Sequence, residues 1–203
     1  MGNVNCVMFS YDDLKFVREG PIERRKYMDI AISQVKPRYF YSLQQYNRIL
    51  SQRNTLLKAI TKDLSLKKTL RVWNEQIADV ASYITLERIT FVGKIVKIAA
   101  SFHNSLSFEK EQLQLSYIPS IPVKIAETSS VKQTYYDILS AREDEDIKRG
   151  TTCIGCHRDD LVPKINGVDL RLYGSQGQQK TAVLSLKLAE MHFMKNETGE
   201  SPV

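Results

Sequence analysis

Cysteine is scarce. Cys6, Cys153 and Cys156 are the only three in 203 residues, far from the disulfide framework of a small secreted domain. That scarcity suits a reducing compartment, and a cytoplasmic protein is expected. Long apolar runs are missing too. The most apolar stretch, residues 91–100, is broken by Lys94 and Lys97, and nothing approaches the ~20 apolar residues of a membrane span. The opening MGNVNCVMFSYDD has neither a basic start nor an apolar run, so neither a signal peptide nor a membrane partner is expected. Between residues 66 and 102 there is no proline and a single glycine, Gly93. Nothing there prevents one long helix.

What is present is a chain that can fold. At 42% hydrophobic residues it can bury a core, as one large domain or two small ones. Its charge is unevenly placed. Residues 1–33 hold five Lys/Arg and five Asp/Glu, residues 34–105 hold twelve and four, and residues 106–203 hold twelve and fourteen. The middle third therefore carries the basic excess, the electrostatic footprint expected of a polyanion partner. A solvated, lysine-rich helical face explains the charge equally well.

That middle third has helical period. Leu66, Leu70, Trp73, Ile77, Val80 and Ile84 continue as Phe91, Ile95, Ile98 and Phe102, steps of three to four interrupted only at Glu87. Phe40, Leu43, Tyr46, Ile49 or Leu50, Leu56 or Leu57, and Ile60 form a second stripe, with Pro37 suited to a first helical turn. Asp63-Leu64-Ser65 is the expected turn, and the pair reads as an antiparallel helical-hairpin arm. Near its base, basic residues interleave with aromatics. Arg24, Arg25, Lys36 and Arg38 are candidate phosphate contacts for DNA, while the tyrosines among them are expected in the core.

The last third mixes strands and helices, a mixed α/β (α+β) pattern. Residues 112–118 alternate as a half-buried strand. Residues 130–149 predict a helix ending at Gly150, and residues 151–154 a short strand. Asn166-Gly167 between apolar runs predicts a hairpin, with Val168, Leu170 and Leu172 alternating after it and Pro163 placing the preceding strand at an edge. The loop 173–181, YGSQGQQKT, then runs into a strongly apolar helix. Free N–H groups and the positive dipole end make such a loop a natural phosphate site. An ordinary helix start capped by Ser175 is the competing reading.

Residues 153–157 read CIGCH, the spacing of covalent haem attachment, and Cys-x-x-Cys also serves zinc and thiol redox chemistry. Each reading meets an obstacle. Haem attachment belongs outside the cytoplasm. Zinc needs four ligands, the motif offers three, and Cys6, His103 and His192 are scattered along the chain. A redox Cys-x-x-Cys opens a helix, whereas His157-Arg158-Asp159-Asp160 follows here. No haem or zinc is expected at Cys153 and Cys156, and no metal site elsewhere; both cysteines read as small buried side chains. The dense polar run 157–160 is compatible with a place beside a nucleotide or with bridging strands.

YGSQGQQKTAVLSLKLAE resembles the signature segment of the RecF family, bacterial recombinational-repair ATPases of ABC type related to the chromosome-maintenance (SMC) and double-strand-break-repair ATPases. FSYDDLKFVREGPIERRKYMDI, QVKPRYFYSLQQYNRILSQRNTLLK and RGTTCIGCHRDDL resemble further family segments, in the family's order. Cys156 stands where the family has proline, Tyr11 also replaces a proline, and Lys180 stands where arginine is common. The resemblance implies a partial ABC/SMC-like ATPase head lobe with the helical hairpin inserted. Residues 1–33 would join head and arm, 34–105 would form the arm, and 106–203 the signature-bearing lobe. Neither a P-loop nor an acidic Walker B strand is found, so a fragment is expected, with no catalytic residue and no nucleotide bound when alone. In the intact homodimer, Ser175, Gly177 and Gln178 would face the γ-phosphate of ATP, with Mg, held by the other subunit. The implied partners are DNA and the RecR and RecO proteins, in loading recombinase at gapped DNA. A stand-alone interaction protein built on the helical arm is the alternative.

Overall fold

The computed structural model describes residues 6–202; residues 1–5, where the reading for a signal peptide begins, lie outside them. Ser10 caps a 3-10 turn, Tyr11–Leu14, and its N–H donates to Asp13 Oδ2 at 2.6 Å. Helix α1 (Lys15–Arg18) leads to α2 (Pro21–Val35). Pro37 ends α2, because the residue ahead of a proline is pushed out of the helical region; Lys36 sits at φ −128°, ψ 89°. The same proline opens α3 (Pro37–Ile60). The expected turn follows, with Asp63 Oδ1 accepting from the Ser65 N–H at 2.9 Å. Leu66 lies in a 3-10 stretch, Leu64–Thr69, so α4 (Leu70–Leu106) begins one turn later than its apolar stripe. Its 37 residues span about 55 Å at ~1.5 Å per residue.

Beyond α4 come β1 (Leu113–Ile118), α5 (Thr128–Ala141), α6 (Glu143–Arg149), β2 (Asp160–Ile165), β3 (Val168–Asp169), α7 (Leu170–Tyr173) and α8 (Gln176–Thr198). The helix expected over 130–149 is two helices, broken at Arg142 (φ −105°, ψ 11°) and closed by left-handed Gly150. Residues 151–154 form no strand. Side chains satisfy their backbone instead: the Thr152 N–H donates to Asn54 Oδ1 at 2.8 Å and the Cys153 N–H to Asp146 Oδ1 at 2.9 Å.

The sheet order is β1-β2-β3, both pairs antiparallel. Asn166 (φ 50°) and Gly167 (φ 81°) make the hairpin turn. The alternation expected through Leu170 and Leu172 is cut short, because Asp169 Oδ1 accepts from the N–H groups of Arg171 and Leu172 and starts α7. Pro163 therefore sits in the central strand, not an edge strand. The Asn166 N–H bonds to Gln112 O at 3.0 Å, and bonded pairs alternate along the ladder. Pro163, opposite Leu115, thus turns its ring nitrogen away from β1, on the side where β3 has already ended.

The chain divides into two compact units: Met1–Pro37, Arg88–Ile118 and Asp160–Val203, and Arg38–Glu87 with Pro119–Asp159. The stretch 34–105, expected as one arm, supplies residues to both. In the first unit, α2, α4 and α8 meet through aromatic rings. Phe91 stacks edge-on to Phe193 with centroids 4.9 Å apart, and lies 6.1 Å from Tyr27. Arg88, on the buried face of α4, donates to both oxygens of Asp29 on α2 at 2.9 and 3.2 Å.

In the second unit, α3 and α4 run antiparallel. Arg53 Nε donates to Asn74 Oδ1 at 3.0 Å, and the Arg38 guanidinium lies 4.4 Å from the Tyr83 ring centre. Leu57, Ile60 and Leu70 seal the hairpin end, with Ile147 of α6 against them. Arg53 is fully buried, and its Nη1 donates to Asp146 Oδ2 at 2.7 Å and to Thr152 Oγ1 at 2.8 Å. Gly155 (φ 148°) lies against Tyr46 and His157: a Cβ there would come 2.2 Å from the Tyr46 hydroxyl.

Two changes probe this packing. Asp146→Ala leaves Arg53 buried without its carboxylate and is expected to lower stability by roughly 3–5 kcal/mol, read from urea-unfolding midpoints. Gly155→Ala combines a clash with a strained φ; a loss of roughly 2–4 kcal/mol is expected, and an unchanged melting curve would contradict this packing.

Candidate functional site

The loop ahead of α8 is built by a reciprocal cap. The Gln178 N–H donates to Ser175 Oγ at 3.2 Å, and the Ser175 N–H donates back to Gln178 Oε1 at 2.9 Å. This is a capping box, Ser-x-x-Gln. It satisfies one orphan donor of the helix start, and the Gln179 N–H bonds Ser175 O at 3.0 Å. The N–H groups of Gln176 and Gly177 have no hydrogen-bond partner among the described residues. Ser175, Gln176 and Gly177 are all exposed. The Ser175 oxygen is occupied as an acceptor, but its hydroxyl hydrogen is still to give. Gly177 carries no side chain over this surface; a Cβ there would meet only Ser175 Oγ, at 3.8 Å. The loop thus presents hydrogen-bond donors and no acid, at the positive end of a 23-residue helix.

The loop is anchored from two sides. Gln178 Nε2 donates to Glu111 Oε1 at 2.9 Å. On the other side, Arg18 of α1 donates through Nε to Gln179 Oε1 at 3.1 Å, and Gln179 Nε2 reaches Gly174 O at 3.3 Å. Ser175 and Gly177 stay open to solvent. Gln178 is different: both ends of its amide are already engaged, so it braces the loop. Sequence reasoning missed Glu111 and Arg18, whose partners are 67 and 161 residues away. The Ser-x-x-Gln spacing was there to be read.

The four candidate phosphate contacts are not alike. Arg24 is buried at 5% exposure; its guanidinium donates to both oxygens of Asp160, at 2.6 and 2.9 Å, and to Glu19 O at 3.0 Å. That ion pair ties α2 to β2 and leaves no side for a polyanion, which corrects the reading of Arg24 as a phosphate contact. Arg25 and Lys36 are half-buried in the same unit. Arg38, in the other unit, is exposed and stacked on Tyr83, beside Tyr41, Ser42 and Gln45 in a shallow hollow.

The CIGCH segment is built inward. Cys156 is buried, and burial pushes the half-buried Cys153 thiol up, with the Asp146 carboxylate adding to the shift. The carbonyl of Thr152 can only accept, so His157 Nε2, at 3.1 Å, carries the proton. In the neutral ring, Nδ1 then accepts from the Tyr46 hydroxyl at 2.6 Å; burial holds that phenol well above its usual range. Both imidazole nitrogens are engaged, and neither is left to ligate iron or zinc. Asp159 is buried and accepts from the Ser120 N–H at 2.8 Å, and Asp160 pairs with Arg24. Of the two readings left open for residues 157–160, the framework one describes His157, Asp159 and Asp160. Among the described residues no helix is long and apolar enough to cross a membrane, and no cluster of three His, Cys, Asp or Glu could hold a metal.

No protein-family profile matches the chain. Individual proteins do. The DNA replication and repair protein RecF of Halothermothrix orenii is 47% identical over 206 residues, covering 100% of this chain and 55% of that protein. RecF of Acetivibrio thermocellus is 43% identical over 204 residues, with the same coverage. The fold superposes on a solved structure of the recombination mediator protein RecF with ATPrS in the RecFOR pathway, with TM-score 0.95 and 37% identity over 99% of this chain and 54% of that one. The corresponding structure with ATP gives TM-score 0.92 at 36% identity. The chain thus spans about half the length of the curated relatives it matches. The fold is that of a partial ABC ATPase-like lobe, and along its whole length the chain belongs to the RecF family.

Proposed function

We propose that this chain is the signature-bearing part of an ATPase that acts in recombinational DNA repair, and that it grips the γ-phosphate of ATP held by a second copy. One observation carries the reading: Ser175 and the first-turn N–H groups of α8 stand open in a loop without a carboxylate, within a sequence 43–47% identical to RecF proteins. A phosphate fits that loop, since it brings acceptors to unpaired donors at a helix N-terminus. The Ser175 hydroxyl and the Gly177 N–H are the contacts, and Gln178 acts as brace. ATP, with Mg, supplies the charge that the loop recognises. Nucleotide would then favour a closed dimer by binding it better than the open state, and hydrolysis would remove that bias. Nothing in the loop can orient a water or hold the metal; this chain contributes grip, not the catalytic acid.

DNA is the proposed macromolecular partner, with RecR and RecO in the same pathway and recombinase loading at gapped DNA as the outcome, in the cytoplasm. The basic excess of residues 34–105 supports it. Arg24 leaves the set of contacts. Arg38 leads it, with Arg25 and Lys36 beside it in the proposal.

The nucleotide reading is tested in a full-length RecF containing this segment. Gly177→Ala is expected to keep the fold and to add about 0.5–1 kcal/mol to its stability, as alanine does in place of a helical glycine. It should nevertheless lower ATP-driven dimerisation at least about tenfold by standing where a phosphate approaches. Ser175→Ala should cost about 1 kcal/mol of helix capping, leave ATP binding to the monomer intact and abolish ATP-dependent dimers in light scattering. Undiminished dimers in both variants would put the stand-alone interaction reading in its place.

The DNA reading predicts affinity that falls steeply between roughly 50 and 200 mM salt, because phosphate contacts release counterions. Arg38→Ala should lower the slope of log affinity against log salt by about one. A flat salt titration of the unaltered protein would exclude the basic surface as a DNA contact.

A further inference from the structure

Behind the signature loop lies a chain of hydrogen bonds whose directions can be worked out. His103, near the end of α4, is fully buried, with Nε2 3.1 Å from Glu111 Oε2 and Nδ1 3.4 Å from Ser185 Oγ on α8. The Ser185 hydroxyl donates to Thr181 O at 2.7 Å, so its oxygen accepts from His103 Nδ1–H. The other oxygen of Glu111 accepts from Gln178 Nε2 at 2.9 Å, and Gln178 Oε1 accepts from the Ser175 N–H. With Nδ1 already a donor, His103 and Glu111 face each other with one further proton between them. Either an imidazolium meets a carboxylate or a neutral imidazole meets a carboxylic acid. In both cases Glu111 keeps an oxygen for Gln178. All six residues belong to one compact unit.

We propose that His103 and Glu111 are positioning residues for the signature loop. The buried histidine fixes Glu111, Glu111 fixes the Gln178 amide, and that amide sets the Ser175 backbone and hydroxyl where a phosphate would meet them. Gln178 has several rotatable bonds and sits half-exposed. Without Glu111 it is free to swing to solvent, and the Ser175 N–H loses its acceptor. α4 and the loop are thereby held in one register. The consequence for nucleotide rests on the function proposed above; the positioning itself does not.

The two parts are tested separately. On this chain alone, amide hydrogen exchange is followed at Ser175 and Gln178, with the α5 amides as an internal standard. Glu111→Ala and His103→Ala are expected to accelerate exchange at Ser175 about tenfold, the loss of roughly one hydrogen bond, with α5 unchanged. Glu111→Gln is the rescue: its carbonyl accepts from Gln178 while its amide donates to the Nε2 of a neutral His103, so every bond survives and Ser175 stays protected. Equal acceleration at all amides, or no change at Ser175 in Glu111→Ala, would overturn the proposal. In full-length RecF, Glu111→Ala should weaken ATP-driven dimerisation while Glu111→Gln restores it. If Ser175→Ala leaves dimerisation untouched there, the nucleotide reading fails while the exchange result still decides the positioning.

Discussion

A guanidinium taken out of water has to find a carboxylate, and that constraint organises both units of this chain. Arg24 meets Asp160, Arg88 meets Asp29, and Arg53 meets Asp146. Each arginine is at most 6% exposed at its side chain, and each partner lies on a different element. Such pairs contribute little net stability against an apolar replacement, yet breaking one is costly. Their effect is to forbid alternatives. α2 cannot slide along β2 without stranding Arg24, and α3 cannot shift by a turn against α6 without stranding Arg53. Arg53 Nη2 remains the one buried side-chain polar atom without a partner among the described residues, so this pair is retained despite incomplete satisfaction.

The loop before α8 is held by a different set of bonds. Its supports all lie behind it, in Glu111, Arg18 and the cap itself, so its front is free of intramolecular partners. A loop held by its own front-facing donors would be equally stable and useless to a ligand. Here the amides that need partners for stability have them inside the protein, and those left over point to solvent.

Elements governed by neighbours in sequence were legible, and those governed by distant partners were not. Pro37 breaks and restarts a helix by local sterics. Asn166-Gly167 turns by its own backbone, and the apolar stripes of α3 and α4 follow the helical period. The same counting treated polar residues as solvent-facing and so passed over Arg53, Arg88 and His103, all buried on those helices. It offered Arg24 as a DNA contact because Asp160, 136 residues on, leaves no local trace. It read 151–154 as a strand because β-branched residues favour one; Asn54 and Asp146 took over the backbone groups that a ladder would have paired. At the candidate site, Ser175 and Gly177 came from a motif and the Ser175 cap from its place ahead of an apolar helix, while Glu111 and His103 needed the fold.

Magnitudes then bear on how such a loop can work. Three donors are proposed to meet the phosphate: the Ser175 hydroxyl and the N–H groups of Gln176 and Gly177. A hydrogen bond to a charged group nets about 1.5–3 kcal/mol, so three supply roughly 5–9 kcal/mol, the same order as the cost of immobilising a ligand. Immobilising a ligand costs about 4 kcal/mol or more. A phosphate approaching this loop alone therefore gains little beyond what its immobilisation costs. The balance changes when a second surface covers the loop, because excluded water raises the worth of each charge-assisted bond and the ligand's immobilisation is shared between two protein surfaces. An outward-facing, rigidly backed loop without a carboxylate is thus poorly suited to capture nucleotide by itself. In the function proposed above, the nucleotide is already held by another surface, which is the setting where backing by Glu111 and His103 would count most.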